Sequence, residues 1–157
     1  MIRIRPLAEG EARALWAVFQ SSVRETASAD YSPAQIDAWA PAVYPGAAWE
    51  TRIARNAPWV AELDGRIAGY ADVQADGYID QFFVAGFAAG RGVGAALMRA
   101  IEQHAGTLGL AQLYADVSLT AQPFFRRHGF TIVSEQVVTV RGERLRNARM
   151  RRVLAAG

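Results

Sequence analysis

The central stretch of this sequence reads Val84-Ala85-Gly86-Phe87-Ala88-Ala89-Gly90-Arg91-Gly92-Val93-Gly94-Ala95-Ala96-Leu97-Met98. The segment before it, residues 78–84, consists of strand-forming residues, and residues 93–105 repeat apolar side chains at helical spacing. Three glycines between them leave backbone N–H groups uncovered, and a helix start adds unpaired N–H groups with partial positive charge. This order predicts an anion site suited to phosphate, with Arg91 adding a full charge.

Two common phosphate-binding motifs fit this loop poorly. A P-loop ends in Lys-Ser or Lys-Thr, and this chain contains no lysine. The dinucleotide pattern G-x-G-x-x-A fits Gly90, Gly92 and Ala95, with Asp116 as the ribose-binding acid, but too little chain follows Asp116 to complete a doubly wound sheet. A further alternative is a glycine-rich turn that only lets the helix pack closely on the strand.

Composition excludes several classes of protein and of chemistry. The chain has 157 residues, with 52% hydrophobic and 20% charged residues, which predicts one globular domain over residues 1–157. No cysteine is present, so disulfides, thiolate metal sites and an acyl-cysteine intermediate are excluded. Two histidines and a net charge of +2 favour neither a metal site nor nucleic-acid binding. Without an apolar membrane-length run or a signal-peptide core, we expect a cytoplasmic protein without membrane partners.

The order of predicted elements indicates the α/β class, with an α+β mixed sheet. Predicted strands cover residues 2–5, 58–63, 66–74, 78–84, 110–117, 130–140 and 144–154. Predicted helices cover residues 9–27, 32–40, 47–55, 93–105 and 121–128, and Ser32 with Gln35 forms a capping box at the second of these. Because strand 110–117 follows a strand, a loop and a helix, it should lie parallel to strand 78–84.

Two motifs resemble the GNAT superfamily of acyl-CoA N-acyltransferases. The segment Ala89-Gly90-Arg91-Gly92-Val93-Gly94 is similar to its acyl-CoA loop, Gln/Arg-x-x-Gly-x-Gly/Ala, except that Ala89 replaces Gln or Arg. The segment Ala121-Gln122-Pro123-Phe124-Phe125-Arg126-Arg127-His128-Gly129-Phe130 resembles its A-x-x-F-Y-x-x-x-G-F motif. Residues 31–39 and 117–125 are similar to the YafP-like branch of bacterial acetyltransferases. The resemblance covers nearly the whole chain.

The resemblance implies about seven strands, three to four helices and a split between the two central parallel strands. The strand before the loop would pair with the pantetheine arm of the coenzyme, and the Val84 N–H would stabilise the oxyanion. The resemblance implies these cofactor-binding residues: Phe82, Phe83, Val84, Ala89, Gly90, Arg91, Gly92, Val93, Gly94, Ala95, Ser118 and Phe125. Ser118 is equally suited to capping the segment that follows it.

The implied activity is transfer of an acetyl group from acetyl-CoA directly to a small amine or a peptide, in a ternary complex. Phe125 stands where related enzymes often carry a tyrosine acid, so Tyr31, Tyr114 or a water would deliver the proton instead. Asp80 and Asp116 are the predicted bases, and the alternative is that each only pairs with an arginine or caps a turn. Residues Tyr31, Gln35 and Trp39 are the predicted acceptor contacts. The alternative is a noncatalytic acyl-CoA sensor of the same fold. Both interpretations leave a monomer or a homodimer open.

Overall fold

The computed structural model describes residues 1–155 and contains eight strands, five α-helices and two short 3₁₀ turns. The strands are β1 (Ile2–Pro6), β2 (Trp59–Leu63), β3 (Arg66–Ala71), β4 (Tyr78–Ile79), β5 (Phe82–Val84), β6 (Gln112–Ser118), β7 (Thr131–Val140) and β8 (Glu143–Val153). The helices are α1 (Ala12–Thr26), α2 (Pro33–Trp39), α3 (Ala47–Asn56), α4 (Val93–Leu108) and α5 (Gln122–Arg127). None of these helices is long and apolar enough to span a membrane.

The strands form two four-stranded sheets, which separate within the segment 78–84 that was predicted as one strand. The first sheet has the order β1-β2-β3-β5, and the second has the order β4-β6-β8-β7. Residues Tyr78 and Ile79 pair in parallel with Tyr114 and Ala115, as predicted, whereas β5 pairs antiparallel with β3. The expected split therefore lies where the chain passes from β4 to β5.

Two hydrophobic clusters hold the helices to the sheets. In the first, α4 and α5 pack on the sheets through residues such as Leu97, Ile101 and Phe130. In the second, α1 and α3 pack on the other side of the first sheet through Trp16 and Trp49. The two clusters thus cover opposite faces and leave the split accessible between them.

Several element boundaries differ from those predicted. The five helices predicted from the sequence pattern are all present among the described residues, which is more than the three to four that the family resemblance implied, and α2 and α3 each pack an aromatic residue into the second cluster. Strand β3 ends at Ala71 rather than at residue 74, because pairing becomes irregular beyond that point. The capping box at Ser32 and Gln35 is present, with both reciprocal hydrogen bonds.

Candidate active site

A cavity of about 550 Å³ lies at the split between the two sheets. Its walls come from the end of α1, from β4 and β5, from the glycine loop, and from the end of β6 with the adjoining helix α5. Of the predicted cofactor-binding residues, the following line it: Phe82, Phe83, Val84, Ala89, Gly90, Gly92, Val93, Gly94, Ala95, Ser118 and Phe125. One cavity therefore brings together the glycine loop, the split strand and the second motif.

The backbone of β5 presents alternate residues to the split. The Ala85 N–H donates to the Ala68 carbonyl at 2.8 Å, and the Asp72 N–H donates to the Gln81 carbonyl at 3.1 Å. Since hydrogen-bonding groups alternate along an antiparallel strand, Phe83 also faces β3, and Phe82 and Val84 face away from it. The Val84 N–H thus points toward the open edge. The Phe83 backbone was predicted to pair with the pantetheine arm, and this is corrected because its N–H and carbonyl groups face β3.

The glycine turn provides a cradle of backbone N–H groups at the start of α4. The first bond of the helix runs from the Ala96 N–H to the Gly92 carbonyl at 3.1 Å, so the N–H groups of Val93, Gly94 and Ala95 belong to the unpaired first turn. A Cβ at Gly94 would lie 2.9 Å from the Phe124 ring, so a side chain there has no room. This open N-terminus on the cavity suits a phosphate.

The cationic residue at the cavity is not the one predicted. Arg91 is exposed and is not among the cavity residues within the described part of the chain; its charge instead helps to lower the pKa of Asp64, after the N-terminal ammonium. Arg127 and His128, from the second motif, line the cavity instead. Burial lowers the pKa of His128, which favours its neutral form. Sequence reasoning missed both residues, although they lie inside a motif that it had identified.

Asp80 lines the cavity at the end of β4 and is held by two side chains of α3. Arg52 donates two hydrogen bonds to its carboxylate, both at 3.0 Å, and Asn56 donates a third at 2.7 Å. Burial by itself raises the pKa of Asp80, but the hydrogen bonds from Arg52 and Asn56 outweigh burial, so the net pKa is lowered. Asp80 is therefore an ionised carboxylate and a weak base.

Asp116 also lines the cavity, next to Asp80 across the parallel pair of β4 and β6, and is held in a similar way. Arg149 donates two hydrogen bonds to it, at 2.8 and 3.1 Å, and Gln136 donates one at 3.0 Å. The Arg149 hydrogen bonds are the main reason that the pKa of Asp116 is lowered; burial opposes them. Asp116 shares a face of β6 with Tyr114 and Ser118, while Leu113, Ala115 and Val117 on the other face are buried.

Two of the three predicted acceptor contacts do not lie at the cavity. Tyr31 is buried, and its hydroxyl accepts the Leu119 N–H at 2.9 Å and donates to the Arg146 carbonyl. Gln35 closes the capping box and donates to the Arg144 carbonyl at 2.8 Å. Both side chains bind the start of α2 to neighbouring elements. The prediction that they contact the acceptor in the cleft is therefore corrected. Trp39 is half-buried and does line the cavity, beside the Phe83 ring.

The other predicted hydroxyl and aromatic groups have clear local roles. The Ser118 hydroxyl accepts the Ala121 N–H at 3.2 Å, which is the capping alternative, and the residue also lines the cavity. Phe125 is 3% exposed and packs its ring against Phe82 and Phe130. The Tyr114 hydroxyl donates to Asp76 at 2.6 Å. It is not among the cavity residues in the part of the chain that is described.

The end of α1 adds a wall that sequence reasoning also missed. Ser22, Val23, Thr26 and Ala27 line the cavity. Val23 belongs to the buried face of α1, together with Leu15 and Phe19, and Thr26 follows on the same face three residues later. The sequence signal for this wall was therefore an apolar helix face that ends in a polar residue.

Comparisons with known proteins agree on the family. Residues 27–152 match the family model for the acetyltransferase (GNAT) domain. The chain is 36% identical over 150 residues to the uncharacterized N-acetyltransferase YafP of Escherichia coli strain K12, covering 96% of this chain and 95% of that protein.

Solved structures share the fold over almost the whole chain. A GCN5-related N-acetyltransferase from Rhodopseudomonas palustris, also described as a class-II aminotransferase, superposes with a TM-score of 0.92 at 32% identity, covering 97% of this chain and 95% of that one. The PaiA N-acetyltransferase of Thermoplasma acidophilum, in complex with coenzyme A, superposes with a TM-score of 0.74 at 17% identity, covering 98% and 99%. With its split sheet and glycine loop, this chain belongs to the GNAT family of acetyltransferases and is YafP-like.

Proposed function

We propose that this protein is an acetyl-CoA-dependent N-acetyltransferase that moves the acetyl group directly to an amine. The observation that carries the proposal is one cavity that contains both the open N-terminus of α4 and the edge of β5 bearing the Val84 N–H. Family membership supports acetyl transfer in general. The choice of acetyl-CoA is supported by the fit of this cavity to a phosphate-bearing thioester.

The chain offers specific groups for each part of such a donor. The N–H groups of Val93, Gly94 and Ala95 would bind the phosphates, and the Arg127 guanidinium at the same cavity would add positive charge. The outward-facing backbone of Phe82 and Val84 would pair with the amide groups of the arm. The coenzyme supplies an activated thioester, and the Val84 N–H would donate to its carbonyl oxygen as negative charge develops there.

Direct transfer is the part of the proposal that follows from composition. A thiol nucleophile is excluded because the chain has no cysteine, so we expect donor and acceptor to be bound together. Varying both substrates should give intersecting lines in double-reciprocal plots. Parallel lines, or a trapped acetyl-protein, would reject direct transfer.

Asp80 and Asp116 remain the proposed proton acceptors, acting directly or through a water. Each is an ionised carboxylate on a cavity wall, so each can bind the acceptor's ammonium group and take up the proton that it releases. Their lowered pKa values make them weak bases, so a relay through water is the better match. Trp39 is the proposed acceptor contact on the opposite side.

A noncatalytic acyl-CoA sensor is the second candidate. It is favoured by Phe125, which has no proton to give, and by the arginine that engages each cavity carboxylate. A turnover screen with amines separates the two candidates. Released CoA can be measured with a thiol reagent, and the protein contributes no background because it has no cysteine. Binding of acetyl-CoA without CoA release from any amine would favour the sensor.

The remaining parts of the proposal concern partners and location. We take the acceptor to be a small amine or a peptide, and the protein to act in the cytoplasm as a monomer or homodimer. No metal, nucleic acid or membrane is part of the proposed reaction. Copurified ligand identified by mass spectrometry tests the donor: a nicotinamide dinucleotide in place of acetyl-CoA would reject the proposal.

A further inference from the structure

The chain changes sheets at a β-bulge between β4 and β5. The Gln74 N–H donates to the Tyr78 carbonyl at 2.8 Å, and the Asp72 N–H donates to the Gln81 carbonyl at 3.1 Å. Between these two bonds, Val73 alone opposes both Ile79 and Asp80. The extra residue reverses the alternation of backbone groups beyond it. The bulge therefore lets Tyr78 and Ile79 pair with β6 while residues 82–84 pair with β3, in the register that turns the Val84 N–H toward the split.

One buried carboxylate satisfies the backbone at the bulge. Asp72 accepts the Asp80 N–H on Oδ1 and the Gln81 N–H on Oδ2, both at 2.9 Å. The side chain of Gln74 donates to Oδ1 at 2.8 Å, and Asn56 lies 3.4 Å from Oδ2. Both N–H groups belong to the residues that connect β4 to β5. The carboxylate thus takes the place of the sheet bonds that the split removes.

The position of Asp72 is not one that a carboxylate occupies for stability alone. It is 1% exposed, and the charged groups around it are Asp80, which repels it, and Arg52, which is engaged by Asp80. The hydroxyl of the buried Tyr70 is used by Gln81 rather than by Asp72. Burying an ionised carboxylate with only backbone and amide donors is costly unless each acceptor site is filled.

We infer that Asp72 is a positioning residue that clamps the bulge and so aims the Val84 N–H at the acyl carbonyl. This inference rests on the proposed function, because the aim matters only if a thioester carbonyl binds at Val84. Asp72 is not among the described residues that line the cavity, so it acts through the backbone of residues 80–84.

Asp72→Asn is the direct test. An amide keeps the shape but presents one N–H₂ group to a backbone N–H, so one of the two clamp bonds is lost. The readout is isotope-edited infrared spectroscopy of acetyl-CoA labelled with ¹³C at the acetyl carbonyl. We expect the bound carbonyl band to shift to lower frequency in the unaltered protein, and this shift to be lost in Asp72→Asn. Affinity for acetyl-CoA should change less than about threefold, because the phosphates bind elsewhere.

Turnover provides a second readout on the best amine from the screen. We expect kcat to fall by about tenfold or more, up to the ~10²–10³-fold loss seen when an oxyanion donor is removed outright, with little change in KM for acetyl-CoA. The matched control is Glu62→Gln, which weakens the 2.6 Å bond from Arg5 between β1 and β2, two strands of the same sheet that do not pair with β5. That variant should lose stability and keep both the band shift and kcat.

A third measurement needs no variant and so holds even if Asp72→Asn does not fold. In the ligand-free protein, the amide protons of Asp80 and Gln81 should titrate together by NMR as Asp72 loses its proton. Absence of a shared titration would overturn the clamp. Normal binding with an unchanged band in Asp72→Asn would overturn the inference alone. Failure of the unaltered protein to bind acetyl-CoA would overturn the proposed function, and the inference with it.

Discussion

Gly92 and Gly94 keep the helix start open for two different reasons. Gly92 has φ +87°, a left-handed conformation that side chains rarely adopt. Gly94 has ordinary backbone angles but faces the Phe124 ring, where a Cβ would lie 2.9 Å away. A substitution at Gly92 therefore strains the backbone, whereas one at Gly94 fills the space that a phosphate would need.

Gly94→Val should weaken acetyl-CoA binding by about tenfold or more, which is ~1.4 kcal/mol. The valine side chain would enter the cradle or displace Phe124, and either change blocks close approach to the N–H groups. Calorimetry measures the affinity. Gly106→Val is the matched control in the same helix, because a Cβ there meets nothing within 4 Å. Equal affinity in the two folded variants would reject the glycine turn as the phosphate site.

Arg52 and Asp80 give a prediction for pH dependence. The hydrogen bonds from Arg52 lower the pKa of Asp80 against burial, which raises it. Arg52→Gln should therefore raise that pKa, so any acid limb of kcat set by Asp80 should move to higher pH.

Asp80→Asn should lower kcat by about 10²-fold with acetyl-CoA still bound. The pH–rate profile of each variant is the measurement, and full activity in both Asp80→Asn and Asp116→Asn would end the carboxylate proposal.

Sequence reasoning found the backbone groups of the site better than the side chains. A run of glycines before a helix predicts exposed N–H groups whatever surrounds it, and the cradle residues do line the cavity. Arg91 belongs to the same loop, but it is exposed and is not among the described residues that line the cavity, and no local pattern carries the direction of a side chain. Asp80 and Asp116 were placed at the cavity because their strand positions were right, but their arginine partners come from distant elements.

The same limit applies to whole strands. A continuous run of strand formers predicted one strand over residues 78–84, and the chain instead divides it between two sheets. The division depends on Asp72, whose carboxylate reaches residues eight and nine positions later. Periodicity describes one segment at a time, so it cannot show a bond that replaces pairing between segments. The split itself was expected only from the family resemblance.

Tyr31 joins three elements, and this role gives a prediction about stability. Its hydroxyl connects the start of α2 to the Leu119 N–H after β6 and to the Arg146 carbonyl of β8. Tyr31→Phe leaves a partly buried N–H and a partly buried carbonyl short of a partner, and we expect a loss of at most about 1–3 kcal/mol. Urea denaturation should show this loss, while acetyl-CoA affinity stays unchanged. A variant of normal stability with a strongly reduced kcat would instead restore Tyr31 as a proton donor.

The two sheets of the molecule meet at a carboxylate whose charge opposes folding. Burial is the main reason that the pKa of Asp72 is raised from 3.8 to about 6, although the hydrogen bonds from the Asp80 and Gln81 N–H groups and from the Gln74 side chain lower it. Asp80 and Asp116 show the opposite behaviour, because arginines lower their pKa values. Their effects on stability therefore change in different pH ranges. The contribution of Asp72 changes between pH 3.8 and about 6, and the contributions of Asp80 and Asp116 change below pH 3.8.

This separation predicts how global stability depends on pH. Since the folded-state pKa of Asp72 is raised, the folded protein binds its proton more tightly than the unfolded chain does between pH 3.8 and about 6. The stabilisation is complete below the unfolded value and is lost as the pH rises through about 6. The free energy of unfolding of the unaltered protein, minus that of Asp72→Asn, should therefore increase as the pH falls from 7 to 4, with a slope of at most about 1.4 kcal/mol per pH unit. Urea denaturation at a series of pH values measures it, with Glu62→Gln as the second reference. A difference that stays flat over this range would mean that Asp72 is ionised throughout, and that the donors at the bulge fully compensate its burial.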